Sequence, residues 1–193
     1  MAERMWAVDV EGSGKSPPEI VELAIVEMDG LELTGHRKHW RLRPRNGISP
    51  IASRIHGIWD RDVEDAPEVE DVVDDLLTWL EDKPIVGHNV RVELGILTDA
   101  LEAWEPSAAF DTLKLARRLL PDQPKYGLEH LGSALGLDAE AARITGALAH
   151  SAPYDAVLSA LLLRHLLEPL DEPQRTALLE EADIRRREQP SLL

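Results

Sequence analysis

The chain has 193 residues, 44% of them apolar, and a net charge of −15. This length favours one domain with a proper core, and the negative charge argues against broad, non-specific coating of nucleic acid, which needs many Lys and Arg contacts to phosphate. The absence of cysteine excludes disulfides and thiolate metal sites, so oxygen and imidazole are the metal ligands available.

The first part of the chain predicts three antiparallel strands. Residues 5–11 and 19–28 are rich in apolar and β-branched side chains, and residues 31–44 continue in the same way. The dipeptide Asp29-Gly30 between the second and third segments is typical of a hairpin turn. These strands are expected to start the sheet.

Helices and short strands alternate through the rest of the chain. Helical spacing of apolar residues predicts helices at 68–82 and 90–104, and short apolar runs at 84–88 and 108–110 predict buried strands. Further helices are predicted at 112–119, 127–135, 154–167 and 173–188. The order predicts an α/β fold, with a central mixed sheet that has its three antiparallel strands first and is flanked by helices.

A positive island covers residues 33–59, which contain no Asp or Glu. One interpretation is a local footprint for nucleic acid. The other is an edge strand protected by charge, because four of the arginines alternate along one side at period 2. Both interpretations stay open on the sequence alone. The cations of the island are Arg37, Lys38, Arg41, Arg43, Arg45 and Arg54.

The segment AVDVEGSGKS, residues 7–16, admits two interpretations. Its end, GSGKS, resembles a phosphate-binding P-loop, which would make the protein a nucleotide binder. However, Asp9 stands where that loop needs a glycine, and Pro17 and Pro18 remove two backbone donors that would face phosphate. The nucleotide binder is therefore the least favoured function.

The other interpretation uses Asp9 and Glu11. Residues two apart on a strand share a face, so the two carboxylates project together. Like charges this close are costly unless a cation lies between them, and oxygen ligands suit Mg²⁺ or Mn²⁺. A strand end that reaches solvent is the alternative at this motif.

Two later stretches add candidate partners for these acids. Asp155 begins the core-facing row of a predicted helix, and His150 precedes it by five residues, where it could take a proton from a metal-bound water. Glu93 flanks the apolar stripe of the helix that follows His88 and Asn89. Structural roles are the alternatives, because Asp favours a helix N-terminus and Asn is a good N-cap.

Taken together, DVE, HNVRVEL and HSAPYDA resemble, in order, the three motifs of the DEDDh 3′–5′ exonucleases, which have a ribonuclease H-like fold. RIHGIWD at 54–60, FDTLKLAR at 110–117 and YGLEHLGSALGL at 126–137 are similar to further landmarks of that family. The resemblance implies an exonuclease domain over residues 1–170, followed by a C-terminal helix at 171–188 and a flexible tail at 189–193.

The resemblance also implies an activity. Two divalent ions, Mg²⁺ or Mn²⁺, would support hydrolysis of the terminal phosphodiester of single-stranded nucleic acid, with DNA preferred to RNA, releasing nucleoside monophosphates. It assigns metal binding to Asp9, Glu11 and Asp155, and the general base to His150. The residues that it implies for substrate binding are Gly12, Ser13, Gly14, His56, His88 and Asn89.

The second motif departs from the family pattern. Glu93 stands where the family has Asp, and Val92 stands where an aromatic residue is usual. Glu reaches about 1.5 Å farther than Asp, and a misplacement of about 1 Å can cost about 100-fold in rate. Glu93 is expected to be the fourth metal ligand of a working enzyme; the alternative is a catalytically weakened nucleic-acid-binding or regulatory module on the same scaffold.

The last five residues, QPSLL, resemble the short peptides by which bacterial polymerases and their exonucleases hold the sliding clamp. The resemblance implies a clamp or a polymerase as partner through Gln189–Leu193, and a frayed terminus is the alternative. No apolar run approaches the length of a membrane helix, and MAERMW lacks the apolar core of a signal peptide. A cytoplasmic protein is therefore expected.

Overall fold

The structure, a computed structural model, describes residues 4–186. Its three opening strands are antiparallel: β1 (Arg4–Gly12), β2 (Ile20–Asp29) and β3 (Glu32–Arg41). Two short strands, β4 (Ile85–Gly87) and β5 (Ala109–Asp111), run parallel to β1. The sheet order is β3-β2-β1-β4-β5, which confirms the predicted mixed sheet.

Eight α-helices surround this sheet within residues 4–186, and a short 3₁₀ turn occupies Asp60–Asp62. Within the same residues, no helix has the length and apolar character needed to cross a membrane. The helices are α1 (Pro50–His56), α2 (Val69–Leu80), α3 (Arg91–Ala100), α4 (Thr112–Leu119), α5 (Leu128–Ala134), α6 (Asp138–Thr145), α7 (Ala152–Leu167) and α8 (Glu172–Ala182).

Helix α7 is the central helix of the fold, and most of its residues are buried. It packs on β1 and β2 in a core cluster that includes the small residues Ala7 and Ala24 from the sheet and Ala156 and Ala160 from the helix. Small side chains let the helix approach the sheet closely. Successive side chains of a strand point to opposite faces, so the face of β1 that carries Ala7 also carries Asp9 and Glu11.

The opposite face of the sheet is covered by α2 and α3. Trp6 and Val8 of β1 belong to this second core cluster. The indole N–H of Trp6 donates to the carbonyl of Leu80 at 3.1 Å, which ties the end of α2 to β1. The sheet is therefore buried on both sides, and β1 is held at its centre.

Four predicted helix boundaries or elements need correction. Helices α1 and α6 were not predicted, because α1 has seven residues and the sequence of α6 lacks a clear apolar stripe. Helix α3 ends at Ala100 rather than 104, and Ala103 adopts a positive φ of 63°. Helix α8 ends at Ala182 rather than 188, and the next residue, Asp183, bridges to β5.

Ion pairs join part of the positive island to α2 and its N-cap. Arg43 and Arg45 pair with Glu68 at 2.9 and 3.0 Å, and Lys38 pairs with Asp75 at 3.3 Å. Strand β3 ends at Arg41, so Arg43 and Arg45 do not continue its alternation as predicted. The described structure thus supports edge-strand protection for the cations on β3 itself.

The P-loop interpretation of GSGKS is wrong. After β1 the chain bends and enters β2, so the segment does not run into a helix of its own as a P-loop does. Gly14 has φ +65°, and a Cβ there would lie 2.4 Å from Ser49 Oγ and 2.8 Å from Ala52 Cβ. The glycine is required because α1 packs against this bend.

The predicted boundary at residue 170, between the exonuclease domain and the C-terminal helix, stays a prediction. The predicted flexible tail, Gln189–Leu193, lies outside the described residues.

Replacement of Gly14 by Ala should destabilise the protein more than the same replacement at Gly35. Both glycines have positive φ, but a Cβ at Gly35 meets nothing within 4 Å. Gly35→Ala should therefore cost only the left-handed backbone penalty of about 1 kcal/mol, and Gly14→Ala about 1–3 kcal/mol more. Urea denaturation measures both, and equal losses would contradict the predicted crowding.

Candidate active site

Three carboxylates converge where β1 meets the first turn of α7. Oxygen atoms of Asp9, Glu11 and Asp155 lie within 4.8 Å of one another, and all three side chains are partly buried. The strand period brings Asp9 and Glu11 to one face, and α7 lies across that face with Asp155 in its first turn. The predicted grouping of these three acids is therefore present.

The close approach of these acids makes ionisation costly. Burial, followed by the charges of Glu93 and Asp155, raises the pKa of Asp9 well above its usual range. Burial, with a contribution from Asp155, raises the pKa of Glu11 to about 7. Burial also raises the pKa of Asp155 to about 6, although the charge of His150 and its backbone N–H act in the opposite direction. A divalent cation would relieve the repulsion directly.

Glu93 is the fourth acid of the region. It lies in the first turn of α3, only 6% exposed, and its Oε2 has no hydrogen-bond partner in the described structure. Burial raises its pKa to about 8, and the charges of Asp111 and Glu11 add to the effect. A buried carboxylate oxygen without a partner costs free energy. Glu93 is not among the three acids within 4.8 Å, but it exerts the largest charge effect on Asp9.

These features fit divalent metal ions. The donors are all carboxylates, which hard cations such as Mg²⁺ and Mn²⁺ prefer. The pKa of Asp9 is raised by the charges of all three other acids, Glu93, Asp155 and Glu11. The arrangement therefore suits Asp9 as a shared ligand of two ions, and the orphaned oxygen of Glu93 as a direct or water-mediated ligand.

His150 lies beside the acids on the solvent side. Its backbone N–H donates to the Asp155 carboxylate, and its Nε2 lies 3.6 Å from Glu129 Oε2. The side chain is exposed and lines, with Asp155 and Lys125, a cleft of about 560 Å³. His150 has φ +61°, an uncommon backbone conformation for a non-glycine residue and one that is often found at functional sites.

The bend after β1 is held mainly by contacts within the protein. Ser13 is buried, its N–H donates to the Glu19 carbonyl at 2.8 Å, and its Oγ accepts from the Glu19 N–H at 3.0 Å. Gly14 is explained by its contact with α1. Gly12 is partly exposed next to Glu11. Among these three predicted substrate residues, Gly12 is the one whose position is not already accounted for by the fold.

The remaining predicted substrate residues differ in their free hydrogen-bonding capacity. His88 is engaged at both ring nitrogens, by Thr112 Oγ1 at 2.9 Å and by the Tyr126 carbonyl at 2.6 Å. Asn89 has φ +65° and precedes Val90, the residue at the N-cap of α3, so it is not the predicted N-cap. Buried His56 accepts from the Ile58 N–H at 3.1 Å, and its ring also bonds the Gly12 backbone.

The sequence reasoning did not select two buried acids that organise the site. Asp111 accepts from the N–H groups of Leu113 and Asn89, both at 2.9 Å, and so fixes the start of α4 and the turn before α3. Glu22 bonds the N-terminus of α7. Each acid has a signal in the sequence: Asp111 directly precedes a helix, and Glu22 lies within a mostly apolar strand.

A five-stranded mixed sheet with clustered carboxylates beside its central strand defines a ribonuclease H-like nuclease. The sequence profile of the Exonuclease family matches residues 7–163. The chain is 31% identical over 156 residues to the DNA polymerase III subunit epsilon of Rickettsia felis, covering 75% of this chain and 68% of that protein. The chain belongs to the exonuclease family.

Other relatives agree with this assignment. The chain is 33% identical to the PolC-type DNA polymerase III of Oceanobacillus iheyensis over 89% of its own length, but spans only 12% of that protein. Exonuclease X in complex with 5′ overhanging duplex DNA superposes with a TM-score of 0.70 at 28% identity, covering 91% of this chain and 98% of that chain. Exonuclease I of E. coli in its complex with single-stranded DNA shares the fold, with a TM-score of 0.75 at 18% identity and coverage of 94% and 43%.

The metal-free protein should lose stability as the pH rises from 5.5 to 8.5. The folded pKa values of Glu11, Asp155 and Glu93, about 7, 6 and 8, exceed their unfolded values near 4. The folded state therefore holds extra protons at low pH and loses their stabilising effect as the pH passes through 6–8. Urea denaturation in EDTA should show a fall of at least about 1 kcal/mol.

Glu93→Gln is the matched variant, because it keeps the size of the side chain and removes one titrating group. Its pH dependence should be flatter than that of the wild type. Stability that rises over this range in the wild type, or that depends on pH to the same degree in the variant, would contradict the assignment of these pKa shifts.

Proposed function

We propose that this protein is a two-metal-ion exonuclease that removes nucleoside monophosphates from the 3′ ends of single-stranded DNA, and RNA less readily. The observation that carries the proposal is the group formed by Asp9, Glu11 and Asp155, together with the orphaned buried oxygen of Glu93. The relatives named above, which include proteins described with single-stranded or overhanging DNA, support the choice of substrate. A cytoplasmic location belongs to the same proposal.

The four acids would hold the divalent ions beside β1. Asp9 would be the shared ligand, Glu11 and Asp155 would complete one ion, and Glu93 would support the other. When bound, two divalent ions orient the attacking water and stabilise the leaving 3′ oxygen. The exposed imidazole of His150 stands at the mouth of the site, where it accepts a proton from the attacking water.

The substrate contacts form the second part of the proposal. Gly12 offers backbone beside the proposed metal ligands without a side chain in the way. His56 is buried and bonds the Gly12 backbone, so it would act by holding that backbone in place. His88 and Asn89 act through the turn that leads into Glu93, and Ser13 and Gly14 act by shaping the bend. Lys125 and His150 border the cleft through which the strand would leave.

The direct experiment uses single-stranded DNA and RNA oligonucleotides labelled at the 3′ or the 5′ end, with Mg²⁺, with Mn²⁺ and with EDTA. The 3′ label should leave as a mononucleotide in either metal, the 5′-labelled strand should shorten stepwise, and EDTA should abolish both. Release of the 5′ label first, or activity in EDTA, would overturn the proposal.

Replacement of Asp9 by Asn should abolish hydrolysis without unfolding the protein. Loss of the shared ligand should reduce kcat on the order of 1,000-fold or more, while stability in EDTA stays the same or rises because one repelling charge is gone. Asp29→Asn, at the exposed end of β2, is the control and should keep full activity. Near-wild-type hydrolysis by Asp9→Asn would remove Asp9 from the site.

Replacement of Glu93 by Asp, which restores the usual family residue, should lower activity rather than raise it. The carboxylate of Glu93 already acts more strongly on Asp9 than any other charge does. Shortening it by about 1.5 Å would withdraw it from the ions, so kcat should fall about 10- to 100-fold. A higher rate would show that α3 stands at the distance suited to Asp.

The proposal also includes a protein partner, which would bind the C-terminal tail. Gln189–Leu193 would place an apolar pair and a hydrogen-bonding Gln within reach of a sliding clamp or a polymerase. An extended tail pays an ordering cost on binding, and Pro190 reduces it. This part of the proposal rests on the sequence of the tail alone.

A further inference from the structure

Glu22 is a buried acid whose two carboxylate oxygens are both occupied by the protein. It lies on β2, 1% exposed, in register with Glu11 of β1 and Arg41 of β3. Its Oε1 accepts from Arg41 Nη2 at 3.0 Å and lies 3.0 Å from His39 Nε2. Its Oε2 accepts from the backbone N–H of Ala152 at 2.9 Å. Although it neighbours Glu11, each of its oxygens is already bonded by another part of the protein.

The bond to Ala152 replaces a missing helix cap. Ala152 is the first residue of α7, and the N-cap residue Ser151 makes no side-chain capping bond. Free N–H groups at a helix N-terminus need acceptors, and a carboxylate is also favoured there by the helix dipole. Glu22 supplies that acceptor from a position 130 residues earlier in the chain.

This cap sits one turn from a proposed metal ligand. Asp155 follows Ala152 by three residues, so the two lie on neighbouring positions of one helix face. The loop that carries His150 also ends at this point. Fixing the Ala152 N–H therefore fixes where the Asp155 carboxylate stands relative to Asp9 and Glu11.

Apolar packing alone would hold α7 less specifically. The contact between α7 and the sheet uses small side chains such as Ala156 and Ala160, and hydrophobic burial is not directional. A hydrogen bond to a carboxylate is directional and strong, and that carboxylate is itself held by Arg41. Glu22 thus connects Arg41 of β3 to the first turn of α7.

We infer that Glu22 is a positioning residue of the exonuclease site, which holds the start of α7 so that Asp155 and His150 face Asp9 and Glu11. The inference rests on the proposed function. It assigns to Arg41 and His39 of β3 a role in orienting Glu22.

Glu22→Gln tests the inference, with Glu27→Gln as its control. Glu27 is a second buried acid of β2, 6% exposed, but it bonds Thr34 Oγ1 at 2.7 Å and Arg4 at 3.3 Å instead of α7. Glutamine at position 22 would turn an N–H₂ group toward either Arg41 or the Ala152 N–H, so one of these bonds is lost.

For Glu22→Gln, kcat should fall at least about tenfold with KM for the oligonucleotide within about twofold. The Kd for Mn²⁺, measured by calorimetry without nucleic acid, should rise at least about fivefold. Glu27→Gln should leave all three quantities within about twofold, even where its Tm falls as far as that of Glu22→Gln.

Wild-type kcat and Mn²⁺ affinity in Glu22→Gln would overturn the inference, as would equal losses in both variants, since these would report general loosening. A wild-type protein without exonuclease activity would overturn the proposed function instead. In that case the two Mn²⁺ affinities still decide whether Glu22 positions the acids.

Discussion

The repulsion among four carboxylates at the end of β1 is the constraint on which the rest of the site depends. Oxygen atoms of Asp9, Glu11 and Asp155 lie within 4.8 Å of one another, and Glu93 is buried nearby with its Oε2 lacking a hydrogen-bond partner. The charge of His150 offsets part of the repulsion at Asp155, yet the pKa values of all four acids stay raised. The fold holds the acids together by packing α7 and α3 on opposite faces of the sheet at β1. Their repulsion costs folding free energy, and a bound divalent ion would recover that cost by neutralising the charge.

Two acids on neighbouring strands show how the environment decides the role of a carboxylate. Burial raises the pKa of Glu11 to about 7. Burial also acts to raise that of Glu22, but hydrogen bonds from His39, Ala152 and Arg41 outweigh it and bring the pKa to about 2. Glu22 is therefore charged at neutral pH and has a structural role. Glu11, by contrast, would be stabilised in its charged form by a cation. The same row of the sheet thus provides both an anchor and a proposed ligand.

The parts of the site that depend on local period were predictable, and those that depend on distant contacts were not. The strand period was enough to place Asp9 and Glu11 on one face, and helical spacing turned Asp155 inward. The bond between Glu22 and Ala152 spans 130 residues, so it exists only once α7 has docked on β2. The need for glycine at position 14 likewise arises from α1, a helix too short to show a period. The length of α3 was overestimated because apolar spacing continues through Leu101 and Trp104, which pack on the core after the helix has ended. The length of α8 was overestimated because Asp183 leaves the helix to bond the backbone of β5, a contact with a distant part of the chain.

Proton release on metal binding tests the central claim most directly, because carboxylates with raised pKa values must lose their protons to bind an ion. Calorimetric titration of the apo protein with Mn²⁺ at pH 7, in two buffers of different ionisation enthalpy, gives the number of protons released. We expect about one or more protons per protein, from the groups whose pKa values are raised to about 7 and 8, and a smaller number at pH 9. Binding without proton release at pH 7, or no binding at millimolar Mn²⁺, would contradict the account.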